Sequence, residues 1–125
     1  MANKKVILSI DDNVFQLRLF TEMLVPRYDL RVVKSASDAL HFLNANNVDL
    51  ILLDIEMPNI NGFEFLKDIR MIPSYITKPI IIVSANTGEE FFRQARNSSA
   101  ADVLTKPVTE EMLVKTIEKV LTETG

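Results

Sequence analysis

Short apolar runs alternate along the chain with longer stretches in which apolar residues recur every three or four positions. Val6-Ile7-Leu8-Ser9-Ile10, Leu50-Ile51-Leu52-Leu53 and Pro79-Ile80-Ile81-Ile82-Val83 are dominated by branched residues. Such continuous runs mark strands buried on both faces of a parallel sheet. The pattern predicts strands near 5–10, 29–33, 49–53, 79–84 and 101–104, and helices near 13–25, 36–46, 62–71, 88–97 and 109–122. Strict βα alternation predicts one parallel sheet with helices on both faces.

Capping chemistry supports the helix starts. Asn13 with Gln16, Asn61 with Glu64, and Thr87 with Glu90 pair a capping side chain with an acid or amide three residues on. Thr109 precedes Glu110 and Glu111, which place negative charge at a helix N-terminus. Leu113, Ile117, Val120 and Leu121 form an apolar stripe for the sheet. The turn-rich stretch Met57-Pro58-Asn59-Ile60-Asn61-Gly62 separates the third strand from its helix.

Composition narrows the function. At 125 residues and 47% hydrophobic content, the chain is expected to form a single domain with a real core. A net charge of −3, with Lys4-Lys5 its only adjacent basic pair, argues against a nucleic-acid surface. Without Cys there are no disulfides or thiolate metal sites, which fits a cytoplasmic protein. No apolar stretch reaches the roughly 18 residues needed to cross a membrane, and no signal-peptide core precedes the first strand. With no room for a second module, output is expected through surface contacts.

The candidate chemistry lies where strands end. Asp11 and Asp12 follow the first run, Asp54 the third, Ser84 the fourth, and Thr105-Lys106-Pro107 the fifth. In open α/β sheets the carboxyl edge is where ligands bind. Two adjacent carboxylates repel, so a cation would relieve both, and Mg²⁺ favours one or two carboxylates with phosphate oxygens. Asp54 fits a metal ligand or a nucleophile that forms an aspartyl-phosphate. Lys106 offers a compact charge for a phosphoryl oxygen, and Ser84 beside small Ala85 offers a hydroxyl donor. Taken singly, each residue also fits a plainer role as turn acid, strand end or surface lysine. Their convergence on one edge favours the functional role.

These stretches, in this order, resemble the response-regulator receiver domain, the family that includes the chemotaxis response regulator. The matching segments are Val6 to Asn13, Leu50 to Pro58 with Gly62, Pro79 to Ala85, and Ala101 to Pro107, within a match from about residue 4 to 122. The resemblance implies an α/β fold, the (βα)5 flavodoxin-like doubly wound five-stranded parallel sheet, over 1–125 as a single receiver. It implies a two-component response regulator that accepts a phosphoryl group on Asp54 from a phosphohistidine on a histidine kinase or histidine phosphotransfer protein. By the same resemblance, Asp12 and Asp54 bind Mg²⁺ through side chains, Asp11 helps through water, and the Glu56 backbone carbonyl completes the shell. Ser84 and Lys106 would hold the phosphoryl group, and the Lys106–Pro107 bond would be cis. A downstream protein target is expected on region 88–122, with a weak homodimer left open. The alternatives are a receiver fragment of a larger hybrid kinase or multidomain regulator, or a phosphorelay shuttle.

Three positions depart from the common receiver pattern. Val103 stands where an aromatic residue is frequent, which puts the usual ring-based coupling in doubt. Phe91 and Phe92 could replace part of it, although one core ring and one exposed ring is the plainer expectation. Glu56 lies two residues after Asp54, and its carboxylate either reaches the metal or Lys106 or faces solvent. Ala100-Ala101 replaces Gly-Ala, which matters only if that turn needs positive φ. His41, the single histidine, is expected at the surface or its boundary rather than as a phosphodonor or metal ligand. Two other functions need features that this chain does not offer. A Mg²⁺-dependent phosphohydrolase would need a second positioned acid and pocket walls, for which the loops are short. A flavin site would need a phosphate cradle where Asp11-Asp12-Asn13 stands.

Overall fold

The computed structural model describes residues 3–124. Five strands, β1 (Val6–Ile10), β2 (Asp29–Val33), β3 (Leu50–Asp54), β4 (Ile80–Ser84) and β5 (Asp102–Thr105), alternate with five α-helices. The helices are α1 (Val14–Leu24), α2 (Ala36–Ala45), α3 (Gly62–Arg70), α4 (Glu89–Arg96) and α5 (Glu110–Thr124). The strands form one parallel sheet in the order β2-β1-β3-β4-β5. This is the flavodoxin-like (βα)5 architecture that the alternation predicts. A single 3₁₀ turn, Pro73–Tyr75, adds to the expected elements.

The pleat sorts each strand onto two cores. Leu8, Ile10, Ile51, Leu53, Ile80 and Ile82 pack with residues of α2, α3 and α4. Ile7, Leu50, Leu52, Ile81, Val83 and Leu104 pack with residues of α1 and α5. A period of two therefore sends successive branched side chains to opposite faces, and both faces are covered by helices. The register also sets β1 beside β3 and β3 beside β4, so their carboxyl ends meet at the middle of one edge.

Local chemistry explains most helix starts. Asn13 Oδ1 accepts from the Gln16 N–H, and Asn61 Oδ1 accepts from the Phe63 and Glu64 N–H groups. Thr109 Oγ1 accepts from the Met112 N–H. The expected Thr87 cap is wrong. Gly88, which has no side chain to cap with, is the N-cap of α4, while Asn86 Oδ1 accepts from the Gly88 N–H at 2.8 Å. An Asx turn thus takes the place of the cap. Strand bounds move by a residue, and Asp54 belongs to β3 itself.

At the opposite edge Arg70, the last residue of α3, ties three segments together. Its guanidinium donates to the carbonyls of Tyr75 at 2.7 Å and Lys78 at 2.6 Å, and to Ser99 Oγ at 2.8 Å and the Ser99 carbonyl at 2.9 Å. Burial holds its pKa below the ordinary arginine value. Fixing α3 and the start of β4 from beneath sets the height at which their other ends meet the site.

Candidate phosphoacceptor and metal site

The β1–α1 turn delivers two acids with different surroundings. Asp11 is 3% exposed and its Oδ1 accepts from the Asn13 N–H at 2.9 Å, whereas Asp12 is exposed. Asp54 at the end of β3 is 4% exposed, and its Oδ1 accepts from the Glu56 N–H at 3.0 Å. Oxygens of Asp11, Asp12 and Asp54 lie within 4.8 Å of one another. The hinge between β3 and α3 is closely built. Ile55 and Met57 are buried beneath it, Asn59 adopts a left-handed φ of 66°, and Gly62 sits against the Ile55 carbonyl.

Lys106 follows the last residue of β5 and reaches in across the sheet edge. Its Nζ lies 3.6 Å from Asp11 Oδ2 and 3.7 Å from Asp54 Oδ1. The Lys106–Pro107 peptide is cis. Burial pushes the Asp11 carboxyl up to about 6, and the Asp54 charge adds to this, while the Asn13 N–H and Lys106 oppose it. The cup is therefore short of positive charge. An all-oxygen donor set of carboxylates, partly open to water at Asp12, fits a hard divalent cation such as Mg²⁺.

Ser84 at the end of β4 is fully buried. Its hydroxyl donates to Glu56 Oε1 at 2.7 Å and accepts from the Asn86 N–H at 3.0 Å. The Ala85 N–H donates to the same Glu56 oxygen at 2.9 Å. Glu56 is an exposed loop residue, as the plainer of its two expectations had it, but its carboxylate also takes partners that neither expectation named. It bridges to Ser84 and Ala85, and the Ser84 hydrogen bond holds its pKa below the ordinary value, with the Ala85 N–H assisting. Sequence reasoning missed the two backbone donors around Ser84, because nothing in a residue's identity tells where its N–H points.

The structure thus brings Asp11, Asp12, Asp54 and Lys106 together and places Ser84, at the end of β4, and Glu56, in the β3–α3 loop, beside them. Val103 is half-buried against the α3/α4 core, as is Phe92. Phe91 is buried, 5.3 Å from the Phe92 ring and 5.9 Å from Phe63. One core ring was expected, and its partner is packed against that core rather than exposed. Ala100 has no positive φ, so the missing glycine there carries no strain. His41 is exposed, as expected.

Comparison with known proteins agrees with this geometry. The family model described as response regulator receiver domain matches residues 7–118. The sensor histidine kinase RcsC of Escherichia coli (strain K12) is 32% identical over 113 residues, covering 90% of this chain and 12% of that protein. The chain thus spans about an eighth of that relative's length. Protein PilH of Pseudomonas aeruginosa is 33% identical over 117 residues, covering 92% of this chain and 96% of PilH. Among solved structures, chemotaxis protein CheY4 of Vibrio cholerae superposes with a TM-score of 0.88 at 28% identity, covering 94% of this chain and 98% of that one. The chain belongs to the response regulator receiver domain family of two-component signalling.

Proposed function

We propose that this chain is a phosphoacceptor switch in which Asp54 takes a phosphoryl group from a phosphohistidine on a histidine kinase or phosphotransfer protein. The observation that carries the reading is the cluster of Asp11, Asp12 and Asp54 oxygens within 4.8 Å, with Lys106 reaching two of the three acids. In the step, an Asp54 carboxylate oxygen forms the new O–P bond. The P–N bond to the donor imidazole breaks, and the nitrogen leaves with the electron pair and takes up a proton.

The remaining residues stabilise the charge that spreads over the equatorial oxygens of a loose transition state. Lys106 brings an ammonium to the Asp54 side of the cup. The Ser84 hydroxyl and the Ala85 N–H are donors on the next loop. Asp12, Asp54 and the Glu56 backbone carbonyl would hold Mg²⁺, with Asp11 acting through water. Bound there, Mg²⁺ would supply further positive charge to the phosphoryl oxygens. The short loops around the cup favour a switch over a turnover enzyme. The cytoplasm is the proposed location, and α4, β5 and α5, over about 88–122, the proposed surface for a downstream protein.

The test is incubation with Mg²⁺ and acetyl phosphate, followed by intact-protein and peptide mass spectrometry. The expected result is one phosphoryl group per chain, on Asp54, absent in Asp54→Asn. Many turnovers of a generic phosphate ester, or labelling elsewhere, would overturn the reading. Phosphotransfer profiling against purified histidine kinases then identifies the donor.

A further inference from the structure

The two donors assigned above to the phosphoryl group are already engaged. The Ser84 Oγ–H and the Ala85 N–H converge on one anionic oxygen, Glu56 Oε1, at 2.7 and 2.9 Å. Ser84 has a single hydroxyl proton, and its oxygen already accepts from Asn86. It can therefore serve one anionic acceptor at a time. Ala85 N–H is likewise a single donor. Within the described residues, Lys106 forms its direct ion pairs with Asp11 and Asp54 and acts on Glu56 only as a more distant attraction, so the hydrogen bonds of Glu56 go to the donor pair. The bond spans the β3–α3 and β4–α4 loops, and the Glu56 N–H meanwhile donates to Asp54 Oδ1. One residue thus touches both the nucleophile and the hydroxyl.

We propose that Glu56 is a built-in surrogate for a phosphoryl oxygen: it holds Ser84 and Ala85 in the receiving position while Asp54 is unmodified, and surrenders both when Asp54 carries the group. This rests on the phosphoacceptor reading above. Glu56 acts here as a positioning residue, through Ser84 and Ala85. Two consequences follow from the exchange. Binding of a phosphoryl-like anion is weakened by the charge-assisted bonds it must displace. The displaced Glu56 carboxylate is surface-exposed, so it passes to water without a burial cost, and the strut between the two loops is lost. That strut stands over the cleft lined by Ile55, Ile60, Phe63, Asn86 and Phe91, so its release changes the α3–α4 side of the molecule.

The test is a beryllofluoride titration in Mg²⁺, followed by amide NMR, of the wild type, Glu56→Gln and Glu56→Ala. In the free protein, Glu56→Ala is expected to move the Ala85 amide proton upfield as its anionic acceptor is lost. Beryllofluoride should bind about tenfold more tightly to Glu56→Ala, with Glu56→Gln between, because its amide oxygen still accepts both bonds without a charge. The gain should persist in high salt. An unmoved Ala85 amide, or wild-type affinity in Glu56→Ala, would overturn the surrogate role. Equal gains in both variants that vanish in salt would overturn it too, leaving only charge repulsion. If the wild type itself binds no beryllofluoride, the phosphoacceptor reading fails first, so the two failures are distinct.

Discussion

The Lys106 ammonium stands 3.7 Å from Asp54 Oδ1 and almost equally close, at 3.6 Å, to Asp11 Oδ2. A single cation is shared by two buried acids, one of which, Asp54, would also be a ligand of Mg²⁺. Lys106→Ala should therefore have opposite effects on two measurements. Mg²⁺ affinity should rise about 3- to 10-fold, because a competing charge at roughly 4 Å is worth about 1 kcal/mol or more in a partly wet site. Labelling of Asp54 by acetyl phosphate should slow by about 100-fold, the usual cost of deleting one electrostatic stabiliser. Amide NMR titration and mass spectrometry read the two separately. A lowered Mg²⁺ affinity would contradict the shared-cation arrangement.

Asp11 gives the fold a pH dependence of unusual sign for a carboxylate. Its pKa is about 6 in the folded protein, chiefly through burial, against an ordinary 3.8. Between these values the folded state keeps a proton that the unfolded chain has released. Metal-free stability conferred at this residue therefore falls as pH rises from about 4 to about 6, by on the order of 1–3 kcal/mol. Asp11→Asn should remove this component and be the more stable protein at neutral pH. Glu56, whose pKa is lowered mainly by Ser84, works in the other direction and loses its contribution as pH falls. Urea unfolding of wild type and Asp11→Asn across this range, compared by difference, isolates the Asp11 part.

Gly62 opens α3 directly over the residue that follows Asp54. A Cβ there would lie 2.4 Å from the Ile55 carbonyl oxygen, which is backbone and cannot rotate away. Gly62→Ala is expected to cost about 2 kcal/mol or more and to displace the β3–α3 hinge. Thermal melting should show the lower midpoint. Acetyl phosphate labelling of the folded fraction should also fall, because the Glu56 N–H on Asp54 moves with the hinge. A variant with wild-type melting would show that the hinge relaxes freely.

Arg70 supplies a contrast, since it acts far from the chemistry. Its four donor contacts serve Tyr75, Lys78 and Ser99 at the amino edge of β4 and before β5. Arg70→Ala would strand partly buried carbonyls and cost about 2–3 kcal/mol, a fall of roughly 5–10 °C in Tm. Arg70→Lys should recover little, because an ammonium cannot reproduce the planar fork. Mg²⁺ affinity of the folded protein should be unchanged in both.

The comparison of Asn61 with Thr87 shows where local reading stops. Both precede a helix with a Glu three residues on, yet only Asn61 caps. Asn86, one residue earlier, forms an Asx turn onto Gly88 and shifts the start of α4, so a competing short-range bond won. The 3₁₀ turn at Pro73–Tyr75 also escaped the pattern. Its reason is distant: the buried Tyr75 hydroxyl donates to the Asn46 carbonyl and accepts from the Val48 N–H. Apolar periodicity cannot register such a contact.

Much was determined by the chain order of residue types alone: the five βα units, the two-faced burial of the strands, and the arrival of Asp11, Asp12, Asp54, Ser84 and Lys106 at one edge. Periodicity and capping act over a few neighbouring residues, and the parallel alternation then leaves one edge for all strand ends. Tertiary structure alone decided how those side chains divide their partners. It buried Asp11 and exposed Asp12, shared Lys106 between two acids, and gave the exposed Glu56 carboxylate to Ser84 and Ala85. These outcomes depend on loops from β1, β3, β4 and β5 meeting at hydrogen-bond distance. That distance is set by packing across the whole sheet, which no single segment contains.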